Sequence, residues 1–179
     1  ILSFYSRSKG SSEYEQAARQ IWRHGERASS GAPAVMRELV RYATLAPSSH
    51  NTQCWKFRIG EHSVSVLPDY QRRCPIVDPD DHHLFVSLGC AAENLVQAAS
   101  AMGFRADAVF HAGANESLDV SLVPATEIRT PLFEAIPRRQ STRGEFDATP
   151  LSNDELRLLE AAGSGNGVRV LLLTEKQAM

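Results

Sequence analysis

Cysteine is scarce, and its three copies, Cys54, Cys74 and Cys90, stand far apart with no Cys-x-x-Cys pair among them. That spacing fits neither a paired disulfide framework nor a zinc knuckle, and it favours a reducing compartment. Excess charge of one sign is also missing. Nineteen Lys and Arg face 21 Asp and Glu for a net charge of −2, and no basic tract stands out. A binder of nucleic acid that works mainly by neutralising phosphates is thereby disfavoured. No uninterrupted apolar run approaches the roughly 20 residues that cross a bilayer, so the chain reads as soluble. No Gly-x-Gly-x-x-Gly follows any strand candidate, which leaves a Rossmann dinucleotide site unsupported. His82 and His83 are adjacent. On a helix their side chains diverge by about 100°, so they do not clamp one metal as an i, i+4 pair does, and they read as solvated helix-start histidines.

What the sequence does have is enough apolar material for one sizeable core, at 42% hydrophobic residues over 179 positions. Residues 1–33 form an arm rich in Ser, Gly, Arg and Glu, with one amphipathic stretch around Tyr14, Ala17, Ala18, Ile21 and Trp22. From Pro33 the residues Val35, Met36, Leu39, Val40, Ala43 and Leu45 keep a helical spacing that must stop near Ala46, because Pro47 disfavours α geometry before it. Two β-like runs, Trp55–Ile59 and Ser63–Leu67, flank Gly60-Glu61-His62 and predict a hairpin. Asp78-Pro79-Asp80 predicts the start of a long helix over 80–102, with carboxylates in its first turn and Leu84, Leu88, Leu95 and Met102 along one stripe. Phe85, Val86 and Val96 widen that stripe until the helix is apolar on most sides, as a central element is. Strands are expected at Phe104–His111, Leu118–Val123 and Val168–Leu173, with a short helix from Pro131 and a helix opened by a Ser152/Glu155 capping box between the last two. The element order is α+β, without regular βαβ alternation. The chain begins at Ile1 and stops just inside a new helix start, Thr174-Glu175-Lys176-Gln177, and a fragment at one or both ends is expected.

Two loops carry candidate chemistry. Arg138-Arg139-Gln140-Ser141-Thr142-Arg143 reads either as a solvated basic loop or as a cradle that holds a phosphate by charge-assisted hydrogen bonds. Pro47-Ser48-Ser49-His50-Asn51-Thr52-Gln53 reads either as an ordinary turn or as a set of hydroxyl and amide groups facing the edge of a planar heteroaromatic ligand. His50 has no carboxylate partner nearby in sequence, and Ser141 lacks a Gly-x-Ser-x-Gly elbow, so neither reads as a catalytic acid or nucleophile. Cys54 and Cys90 read as space-filling.

Ala46-Pro47-Ser48-Ser49-His50-Asn51-Thr52-Gln53-Cys54-Trp55-Lys56-Phe57 resembles the Ala-Pro-Ser-x-x-Asn-x-Gln-Pro-Trp-x-Phe signature of the FMN-dependent nitroreductases, with Cys54 in place of the proline. Ser87–Ala99 is similar to that family's long central helix, which forms the core of its dimer. Arg73–Asp81 resembles the fused two-repeat (Acg-type) branch. Arg139-Gln140-Ser141-Thr142-Arg143-Gly144-Glu145-Phe146 resembles the family's Arg-x-Ser-x-Arg/Lys-x-x-Phe opening, which normally precedes the Ala-Pro-Ser loop but here follows it. Ser6-Arg7-Ser8-Lys9-Gly10 lacks the spacing of a first copy.

The resemblance implies a tandem repeat that mimics the family homodimer, with an antiparallel or mixed sheet flanked by helices. Residues 34–125 would be the first repeat and 131–179 the start of a second. It implies FMN held with Arg139, Ser141 and Arg143 toward the phosphate and ribityl chain, Arg138 beside them, and Pro47, Ser48, Ser49, Asn51 and Gln53 near the isoalloxazine ring. It further implies an oxidoreductase that moves hydride from NADPH or NADH to a nitroaromatic, a quinone or a similar acceptor by a ping-pong scheme, with the flavin rather than a side chain carrying the chemistry. Two other readings stay open: a non-catalytic protein that sequesters flavin in an occluded site, and a purely structural protein that has lost it. The expected setting is a pseudo-dimer within one chain, able to dimerise further. It would reside in the cytoplasm, or in the periplasm if a targeting segment preceded Ile1. No nucleic acid and no metal is expected.

Overall fold

The computed structural model describes residues 9–25, 31–141, 144, 145, 147, 149–165 and 167–174. The chain divides into two units, residues 1–141 and 142–179. The elements of the first unit are α1 (Lys9–Ile21), α2 (Ala32–Thr44), β1 (Trp55–Ile59), β2 (Ser63–Pro68), α3 (His82–Ala101), β3 (Phe104–His111), β4 (Ser117–Pro124) and α4 (Pro131–Ala135). The second unit contains α5 (Asn153–Gly163). The architecture is α+β, and the four strands form one wholly antiparallel sheet in the order β1-β2-β4-β3.

Alternation along the strands sorts the two faces of this sheet. Phe57, Val66, Leu118 and Phe110 lie in register across it, as do Val64, Val120 and Ala108, and these residues cover α3. The in-between positions, Lys56, Arg58, Ser65, Asp119, Ser121 and Asp107, form the polar reverse face, as period-2 patterning requires. The hairpin turn is tight at Gly60, whose N–H donates to the Ser63 carbonyl at 2.9 Å; a Cβ there would meet Ser63 Oγ at 2.6 Å.

α3 is the element that the sheet, α2 and α4 cover. Leu84, Leu88, Leu95, Ala91, Ala98 and Ala99 are buried along it, and α2 packs against it through Met36, Leu39, Tyr42 and Ala43. Asn94 Nδ2 donates to the Tyr42 carbonyl at 3.1 Å, which fixes the two helices along their length. The sequence expectation of a long central helix packed on the one ending near Ala46 agrees with this. By length and composition α3 is also apolar enough to cross a membrane, a property that a buried core helix shares. Gly103, at φ +80°, ends it in the left-handed region that an L side chain resists.

The start of α3 departs from expectation. Its first turn contains no acidic residue, because the helix begins at His82, after the Asp78–Asp81 carboxylates. Asp78, only 4% exposed, reaches over the intervening turn instead: Oδ1 accepts from His83 N and Oδ2 from Leu84 N, each at 3.0 Å, with His83 Nδ1 at 3.1 Å from Oδ1. Burial pushes the Asp78 carboxyl up, but these donors outweigh it and hold the group below its ordinary value.

Two further expectations need correction. The amphipathic arm does form α1, yet Tyr14 stays 74% exposed, so this helix does not bury the face the pattern predicted. Val168–Leu173 is not a strand; its segment shows only an isolated bridge between Gly165 and Val168, because among the described residues no neighbouring strand is there to pair with it. The sheet is antiparallel throughout, one of the two arrangements expected. The Ser152/Glu155 capping box is present as predicted. The helix start expected around Thr174–Gln177 lies largely outside the described residues.

Two measurements check this account of α3. Leu88→Ala, at a position 1% exposed, should cost about 2–5 kcal/mol in unfolding free energy measured by denaturant titration. A carboxyl held low in the folded state stabilises above its unfolded pKa and loses that contribution as pH falls through its folded value. Asp78→Asn should therefore lower the melting temperature at neutral pH, and its deficit relative to wild type should shrink below about pH 4.

Candidate functional site

The segment between α2 and β1 is shaped by an unusual run of backbone angles. Ser49–Asn51 make a single 3-10 turn, and His50, Asn51 and Gln53 all take positive φ, at 51°, 55° and 50°. Such geometry costs non-glycine residues energy and persists only where neighbouring contacts hold it. Those contacts are local and tight. Gln53 N donates to Ser48 Oγ at 2.9 Å, Thr52 Oγ1 to the Ser49 carbonyl at 3.0 Å, and Asn51 N to the Ser48 carbonyl at 3.0 Å. Ser49 N donates to Ser87 Oγ of α3 at 3.1 Å, while the Ser87 hydroxyl donates to the His83 carbonyl at 2.6 Å. The central helix thus grips the loop through one buried serine.

The inner side of the loop is closed. A cavity of about 10 Å³ lies among Ser49, Thr52, Cys54, Arg72, Cys74 and Asp78, room for about one water and for no aromatic ring. Next to it Asp69 is buried against Lys56 Nζ at 3.0 Å and Arg72 Nε at 3.6 Å; Lys56 foremost holds its carboxyl below the ordinary value. The outer side is open, with Pro47, His50, Asn51 and Gln53 exposed. Any planar ligand must therefore meet the loop from outside.

The basic loop approaches the stem of this same segment. Arg139 Nη2 donates to the Leu45 carbonyl at 3.2 Å, across 94 positions of sequence, and Nη1 donates to Ser141 Oγ at 3.1 Å. Its Nε is buried and has no hydrogen-bond partner among the described residues. The ring of Trp22, in the arm after α1, lies 5.5 Å from the guanidinium carbon. Arg138 donates from Nε to the Glu134 carbonyl at 3.2 Å. Trp22, Pro137, Arg138, Arg139, Gln140 and Ser141 line an open groove of about 410 Å³. On α3, burial pushes the Cys90 thiol up and the nearby Arg139 charge only partly offsets this, so Cys90 is not an activated nucleophile.

Of the residues singled out in the sequence, the structure brings Arg139 and Ser141 together at the stem of the Pro47–Gln53 loop, knits Ser48, Ser49 and Gln53 into that loop, and leaves Pro47 and Asn51 exposed on it. Arg138 lines the same groove with its Nε committed to the Glu134 carbonyl, and Arg143 lies outside the described residues. No group of three metal-ligating side chains occurs among the described residues. Two contributors escaped the sequence reading: Trp22 and the Leu45 carbonyl. A backbone oxygen leaves no trace in residue type, whereas the lone exposed tryptophan of a polar arm was a usable signal.

No family model matches the sequence. Two Mycobacterium tuberculosis proteins, from strains CDC 1551 / Oshkosh and ATCC 25618 / H37Rv, both carry the name "Putative NAD(P)H nitroreductase". Each is 30% identical to this chain over 142 residues, which is 75% of this chain and 40% of the relative. The chain thus spans about two fifths of the length of these relatives. A solved structure, the nitroreductase family protein from Streptococcus pneumoniae TIGR4, is 17% identical with a TM-score of 0.43, and the match covers 64% of this chain and 95% of that one. Over three quarters of its length this chain is thus similar to proteins named as nitroreductases.

Ser87→Ala should destabilise the protein by about 1–3 kcal/mol, the cost of leaving the Ser49 N–H without its acceptor. Amide exchange should speed up at Ser49 well beyond the global change, which hydrogen–deuterium exchange reads directly.

Proposed function

We propose that this chain forms the flavin-binding part of an FMN-dependent NAD(P)H oxidoreductase, with Arg139 meeting the FMN phosphate and the outer face of the Pro47–Gln53 loop meeting the isoalloxazine ring. One observation carries the reading. Among the described residues Arg139 is a half-buried cation whose hydrogen-bond partners, a carbonyl and a hydroxyl, are neutral, and whose buried Nε has none. Among the described residues no carboxylate pairs with it within ion-pair distance. A buried donor left empty is costly, and a charge-assisted bond to an anionic oxygen removes that cost. The residues present therefore fit a phosphate monoester.

Each side chain then has a task. Arg139 and Ser141 bind the phosphate end. The loop Ser48–Gln53, stiffened by its own hydrogen bonds and by Ser87, presents Ser49, Asn51 and Gln53 at fixed positions, so polar groups meet the ring edge without reordering on binding. The closed inner cavity leaves no second place for the ring behind the loop. Bound FMN supplies the hydride chemistry between NAD(P)H and an aromatic or quinone acceptor, and the protein's share is orientation and electrostatic tuning. The reversed order of the two motifs supports a fused two-repeat arrangement in which the Arg139 loop opens the second copy and completes the site begun by the first.

Arg139→Ala should weaken FMN by about 2–3 kcal/mol, roughly 30- to 150-fold, because cutting the pair leaves the phosphate partly desolvated. Arg138→Ala, whose Nε is occupied by a carbonyl, should change the affinity far less. Flavin-fluorescence titration of both variants reads the difference; equal losses would contradict the assignment of Arg139.

A further inference from the structure

We infer that Trp22 is a positioning residue for the phosphate-binding arginine, so that the N-terminal arm forms part of the cofactor site. This rests on the proposed role of Arg139 and adds to it an element that neither loop motif contains.

The arm is tied down around Trp22 from several directions. Arg41 Nη1 donates to the Ile21 carbonyl at 2.5 Å, Gly25 N donates to Tyr42 Oη at 3.1 Å, and His24 Nδ1 lies 3.2 Å from that same hydroxyl. His24 also stacks on Phe133 at a ring separation of 4.7 Å, and its Nε2 is 3.2 Å from Glu134 Oε2. The residues on both sides of Trp22 are therefore anchored to α2 and α4. The indole itself is 38% exposed and contributes little to the core.

Its position beside Arg139 is accordingly set by its neighbours, and its exposed ring is available to the guanidinium. Two hydrogen bonds, to Leu45 and Ser141, fix the two Nη atoms of Arg139, and the indole face closes a further side at 5.5 Å, within cation–π range. A guanidinium held on these sides loses little freedom when an anion arrives, which is how preorganisation raises affinity. Because the effect runs through a cation that meets only the phosphate, it predicts a contribution to FMN and none to riboflavin, the same ring system without the phosphate.

The test uses the full chain and flavin titration by fluorescence, without any turnover. Trp22→Leu keeps an apolar side chain but removes the ring face; it should weaken FMN about fivefold, the upper end expected of an exposed cation–π pair, and leave riboflavin unchanged. Trp22→Phe should recover most of the loss. Combined with Arg139→Ala, Trp22→Leu should add nothing further, since the group it positions is gone. An equal loss of FMN and riboflavin, or full additivity with Arg139→Ala, would overturn the inference. So would an unchanged FMN affinity in Trp22→Leu while Arg139→Ala still costs 30-fold or more, and that result would leave the proposed site standing. An FMN affinity indifferent to Arg139→Ala would overturn the site and the inference together.

Discussion

A helix apolar on most of its circumference must be covered on most of it, and α3 sets that requirement for the first unit. The sheet covers one side through Val64, Val66, Val120 and Leu122, and α2 covers another through Leu39, Tyr42 and Ala43. α4 adds Phe133, and the turn after it adds Ile136. Once these elements are laid against α3, their ends are no longer free. The chain leaving α2 emerges beside the N-terminal half of α3, where Ser87 holds Ser49. The chain leaving α4 emerges where Arg139 meets Leu45. The juxtaposition of two sequence-distant loops is a by-product of covering one helix.

Charge placement around the loops follows a consistent division. Asp69 and Asp78 are buried, and each is spent on local structure, one against Lys56 and Arg72, the other against the first turn of α3. Arg41 is chelated by Glu38, whose carboxylate hydrogen bonds hold the guanidinium pKa above its ordinary value, and Arg129 is paired with Glu134. Arg139 differs in having only neutral partners among the described residues. A cation left with neutral partners beside a polar loop is what anion recognition requires, and a purely structural arginine would be expected to have acquired a carboxylate.

Much of this was legible in the sequence because it depends on local pattern. The spacing of Met36, Leu39 and Ala43, the alternation in β2 and β4, and the Ser152/Glu155 box each encode one element with little help from elsewhere. What failed depends on partners. Val168–Leu173 has the composition of a strand, yet a strand exists by pairing, and among the described residues none is at hand. Asp78-Pro79-Asp80 predicts a helix start with carboxylates in the first turn, because carboxylates favour that end; the actual device is the Asp78 side chain reaching across a turn, which spacing does not reveal. Within the site, the residue types of both loops were apparent from their resemblance to a known motif. What unites them was not, since it consists of a carbonyl at Leu45 and an indole from the arm, two groups brought to Arg139 only by tertiary packing.

The central claim is that the loops serve electron transfer between NAD(P)H and an acceptor through FMN. The most direct measurement is anaerobic addition of NADPH or NADH to the FMN-loaded protein while its visible flavin absorbance is followed. The account predicts that the absorbance bleaches with at least one of the two nucleotides and returns when a quinone or nitroaromatic acceptor is added. Flavin that stays oxidised with both nucleotides, yet bleaches with dithionite, would contradict it and leave a protein that holds flavin without using it.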